Sequence, residues 1–88
     1  MVLYEQNNVK IKGNLHTLEQ LHKRNVSGLL VKDMLNMAMD KINIQQTVAI
    51  VYQELKLIVL RIDNYSYFIV TCLSRDMYVK KGIEIVYI

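Results

Sequence analysis

Eighty-eight residues, 52% of them apolar and 8% aromatic, allow one folded domain spanning 1–88 and exclude a disordered chain, although a chain this short hides only about 60–65% of its unfolded surface. The longest apolar runs, Thr47 to Tyr52 and Leu57 to Leu60, fall far below the roughly 18–20 residues that cross a bilayer. No membrane partner is therefore expected. The first eight residues lack the basic start and apolar stretch of a secretory signal, which makes the cytoplasm the expected compartment. A net charge of +3 and a pI near 9.1 admit an anionic partner without requiring one.

In chain order, Val9-Lys10-Ile11-Lys12 alternates at period two and runs into Gly13-Asn14, which reads as a short strand and a turn. Asn14 is a good helix N-cap, and Leu15, Leu18, Leu21 and His22 recur behind it at helical spacing. This places His22, with Leu15 and Leu18, on a core stripe as a packed or hydrogen-bonded side chain. Asn25 tolerates the left-handed backbone that ends helices, and Ser27 caps a second helix from Gly28 to about Ile42. Its apolar positions Leu30, Val31, Met34, Leu35, Ala38 and Ile42 keep a 3.6 period. Its methionines are read as packing, flexible thioethers being ordinary gap fillers.

Beyond Asn43 the pattern changes to β. Thr47 to Gln53, Lys56 to Asp63, Tyr65 to Leu73 and Ile83 to Tyr87 are rich in Val, Ile and Tyr, with turn signals between them at Asp63-Asn64, Ser74-Arg75-Asp76 and Lys80-Lys81-Gly82. The prediction is an α+β domain, two N-terminal helices packed on an antiparallel sheet of four to five strands. Leu57-Ile58-Val59-Leu60 is apolar on both faces and belongs mid-sheet, with helices over one face and a second cover on the other. A homodimer through the sheet is one candidate for that cover. The single cysteine, Cys72, lies in a strand interior and is read as core.

Most chemical signatures are missing: no phosphate-cradling glycine loop, no Cys/His metal spacing and no nucleophile elbow. Neither a cofactor nor a metal is expected. The most informative stretch is His16-Thr17-Leu18-Glu19-Gln20-Leu21-His22-Lys23-Arg24-Asn25-Val26-Ser27. A histidine followed eight residues later by arginine, then a turn residue, an aliphatic residue and serine, resembles the H-x7-R-G-I-S start of a small-protein family whose later strand carries Val-Thr-Val-Tyr. Asn25 stands where that family has glycine, and Cys72-Leu73 follow Thr71 where it has Val-Tyr. The family is grouped with the barnase/EndoU/colicin/RelE-like ribonucleases, toxins that cut RNA without a metal.

The resemblance implies RNA as substrate, a 2′,3′-cyclic phosphate product and an inhibitory or host protein as further partner. Carried over by motif, His16 is the general acid/base, imidazole being a group that can exchange a proton with a ribose hydroxyl. Arg24 is a phosphate ligand and Thr71 a hydroxyl contact. Arg75, just beyond the Thr71 strand, adds a cation able to reach the same phosphate. On a helix His16, Gln20 and Arg24 share one broad stripe. Two other readings stand beside this one: a non-catalytic interaction protein of a phage or mobile element that retains the fold, and a nucleic-acid binder. In the latter, Tyr52, Tyr65, Tyr67, Tyr78 and Tyr87 are candidates for base stacking, although such residues also fill half-buried strand positions.

Overall fold

The computed structural model describes residues 1–88, the side chain of Gln6 excepted. The chain is α+β, with strands β1 (Val2–Gln6) and β2 (Val9–Lys12), helices α1 (Leu15–Lys23) and α2 (Gly28–Ala38), a 3-10 turn at Met39–Lys41, and strands β3 (Thr47–Tyr52), β4 (Leu55–Asp63), β5 (Ser66–Ser74) and β6 (Glu84–Tyr87). All six strands join one sheet in the order β1-β2-β5-β4-β3-β6.

Two features correct the expected antiparallel sheet of four to five strands. There are six strands, because Val2–Gln6 folds back on Val9–Lys12 as a hairpin. Its turn is made by Asn7 and Asn8, both left-handed at φ 52° and 70°, the conformation that two-residue hairpin turns require. The sheet is also mixed: β2 runs parallel to β5 and β3 parallel to β6. Only β3-β4-β5 forms the expected meander. The first parallel pair arises because both helices intervene between β2 and β3. The second arises because residues 75–83 carry the chain from β5 across β4 and β3 to the far edge.

The helices cover one face of the sheet. Val31, Met34, Leu35 and Ala38 of α2 pack with Leu21 of α1 against Ile50, Leu57, Val59, Ile69 and Cys72. Arg61 is a charged residue on this side; its guanidinium donates to the carbonyls of Met39 (3.0 Å) and Ile42 (2.8 Å) and lies 5.8 Å from the Tyr67 ring centroid. It thus adds a second donor to the Met39 carbonyl, which already accepts from Ile42 N, and supplies one to the Ile42 carbonyl, beyond the end of α2.

The opposite face is covered in part by the crossover. Lys56 alternates with the core residue Leu57 and so points away from the helices, and its ammonium donates to the Met77 carbonyl at 2.7 Å. Ala49, Val51 and Ile58 face the same way and are at most 5% exposed. The second cover anticipated for β4 is therefore supplied, over these residues, by the chain itself.

The buried side of α1 differs from the expected stripe. Thr17 and Leu21 are its buried residues, Leu15 and His22 are exposed, and Leu18 is half-buried. The hydroxyl of Thr17 lies 3.0 Å from the Ile69 carbonyl and 3.2 Å from that of Val70. These carbonyls flank the point where β5 slips register against β4, so a polar side chain is held inward and the helix is rotated away from its leucines. The predicted caps do form, Asn14 accepting from Thr17 N and Ser27 from Leu30 N, and Asn25 is left-handed at φ 56°.

Candidate functional site

Helix α1 runs alongside β5 in the same direction: Thr17 meets Ile69, and one helix length later Arg24 meets Ser74. The C-terminal ends of both elements, the β3-β4 turn and the start of the crossover therefore converge at one end of the sheet. Three cations gather in this region. Arg24 caps α1 and is half-buried. Its Nη1 donates to Ser74 Oγ at 2.8 Å, its Nη2 approaches Met77 Sδ at 3.9 Å, and its buried Nε has no partner. Arg75 is exposed; its backbone N–H donates to the Glu54 carbonyl (2.9 Å), its Nη1 to the Gln53 carbonyl (2.8 Å), and its guanidinium sits 6.0 Å from the centroid of the Tyr87 ring. Lys56, 7% exposed, completes the group through Met77.

The acceptors of these three cations are carbonyls, a hydroxyl and a thioether. Such partners fix the side chains without neutralising them. Glu54 and Asp76 are close in sequence, but neither carboxylate is among the described hydrogen-bond partners of Arg24, Lys56 or Arg75. The exposed rings of Tyr87 and, in the crossover, Tyr78 belong to the same part of the molecule.

The four residues singled out from sequence are not brought to one point. Arg24 and Arg75 share the sheet end. His16 is exposed in the first turn of α1, eight residues from Arg24 and hence about 12 Å along the helix axis at 1.5 Å per residue. Thr71 is paired with Ile58 and faces away from both helices. One phosphate group cannot touch all four. Tyr87 is among the tyrosines named as base-stacking candidates; Lys56, Ser74 and Met77 were not recognised from sequence as site residues, and the available signal was Lys56, a lone charge abutting the apolar run from Leu57 to Leu60. Among the described residues, no three of His, Cys, Asp and Glu come together as metal donors.

Cys72, close by, is core as expected, at 1% exposure. Burial pushes its thiol pKa up, and the charge of Arg24 opposes the shift. At pH 8 the native protein should leave Cys72 unlabelled by a chromogenic disulfide reagent, with one thiol per chain reacting once urea unfolds it. Prompt labelling of folded protein would contradict this burial.

Compared with known families, curated proteins and solved structures, the chain matches none.

Proposed function

We propose that this chain is a non-catalytic binder of single-stranded nucleic acid, RNA foremost, acting through the basic end formed by Arg24, Lys56 and Arg75. The observation that carries this reading is the grouping of three cations on neutral acceptors, with Arg75 beside the Tyr87 ring. Guanidinium groups hold phosphate oxygens, and an exposed ring offers a face on which a base stacks. The cytoplasm is the compartment this reading assigns. A metal-independent ribonuclease is the second reading, supported by His16 being exposed on the same helix as Arg24. On that reading RNA lies along α1 and the two residues contact successive parts of it.

The test is fluorescence anisotropy with a labelled single-stranded RNA 20-mer in EDTA, followed by gel analysis of the same samples. Phosphate contacts by Arg24 and Arg75, the buried Lys56 adding charge without touching the ligand, predict that affinity falls about 7-fold between 50 and 200 mM salt. Arg75→Ala should weaken binding several-fold and flatten the salt slope by about 0.7. Intact RNA with this behaviour supports the binder. RNA cut by wild type but not by His16→Ala would replace it with the ribonuclease, and absence of salt-dependent binding and of cleavage would remove both.

A further inference from the structure

On the helix side of the sheet lies an open cavity of about 250 Å³ between the β1-β2 hairpin and the corner where α1 turns into α2. Leu21 and Val26, 6% and 8% exposed, form its floor, Leu3 and Tyr4 of β1 its outer wall, and the exposed His22 and Ser27 its mouth. Among the described residues, neither a carboxylate nor a lysine or arginine lines it.

The outer wall is held by two glycines. A Cβ on Gly13 would stand 2.6 Å from Leu3 Cδ1, and one on Gly28 would stand 2.7 Å from the Tyr4 ring. Any side chain at either position pushes the wall residue aside. These two close approaches fix where Leu3 and Tyr4 stand. A dry apolar cavity of about 150 Å³ already accepts benzene, so this larger one has room for a fused two-ring molecule.

We propose that this cavity is a binding site for a small, uncharged, planar aromatic compound bearing one hydrogen-bond donor. The rings enter between Tyr4 and Val26, and the donor is met at the mouth by His22, an imidazole carrying an acceptor nitrogen in its neutral form. The apolar floor excludes a charged ligand, which would lose its hydration with no counter-charge to replace it. The site shares no residue with the basic end and does not depend on the nucleic-acid reading.

The experiment is an amide NMR titration with indole and with indene, which has the same shape and lacks the N–H donor. Indole should shift the Leu21, Val26 and Gly28 amides saturably in the millimolar range or below, binding at least about fivefold tighter than indene. Leu18→Trp, which fills the cavity from the helix side, should abolish the shifts while the rest of the amide spectrum stays dispersed. His22→Leu, at an exposed position, should bind both compounds equally and keeps the test decisive should Leu18→Trp fail to fold. Absence of saturable shifts, shifts that survive Leu18→Trp, or equal binding of the two compounds by wild type would overturn the proposal. So would shifts produced by raising protein concentration alone, which would identify the occupant as a side chain of a second copy.

Discussion

Alanine in place of Leu57 should lower the free energy of unfolding by about 3–5 kcal/mol, the upper part of the range for leucines removed from closed cores. Leu57 is fully buried in β4, paired with Ile50 on one side and Cys72 on the other, with the helices above. Its neighbours are held by backbone ladders on both sides and cannot collapse into the space left behind. A domain of this length has a total stability of about 4–13 kcal/mol, so the variant stands near the edge of folding. Urea titration followed by circular dichroism measures the effect as a lower midpoint at unchanged slope. A loss below about 1 kcal/mol would mean that the core is not closed around this side chain.

Thr17→Val should cost about 1–3 kcal/mol although it changes neither volume nor shape. The Thr17 hydroxyl is completely buried and has three oxygens within range, Asn14 Oδ1 at 3.0 Å, Ile69 O at 3.0 Å and Val70 O at 3.2 Å. It joins the helix cap to the irregular part of β5. A methyl group there leaves buried carbonyl oxygen without its donor. Thr17→Ser keeps the hydroxyl and loses one methyl, at about 0.8 kcal/mol. The ordering wild type, serine, valine in thermal melts is the expected result; valine matching wild type would show that the hydroxyl is dispensable.

Local signals were legible in the sequence, and long-range ones were not. Asn14, Asn25 and Ser27 act on backbone groups three or fewer residues away, and each behaves in the structure as its chemistry implied. The strands from β3 to β5 were recognisable because alternation and turn residues are likewise local. The β1 strand escaped because its register slips between Val2 and Tyr4, which breaks the alternation, although Asn7-Asn8 was a usable hairpin sign. Parallel pairing leaves no mark in a single strand: nothing in Lys10-Ile11-Lys12 announces Ser66-Tyr67-Phe68 as its neighbour. Thr17 was missed for a different reason. Periodicity counts apolar residues, and a hydroxyl that belongs inside is scored as surface.

The candidate site followed the same division. Arg24 and Arg75 could be named individually, but whether they meet depends on α1 lying alongside β5, which is a tertiary fact. Their shared sheet end, and the separation of His16 and Thr71 from it, follow from the Thr17 anchor and the pairing of Thr71 with Ile58.

The partnership of Lys10 with Ser66 also sets an order in time. A ribosome adding roughly 5–20 residues per second reaches β5 several seconds after β2 has been made. Until then, the hairpin and both helices have no central strands to cover, and the inner faces of Leu21, Val31 and Met34 remain open to other chains. The nascent protein passes through a window of vulnerability built into its topology, one that closes when the middle of the sheet arrives.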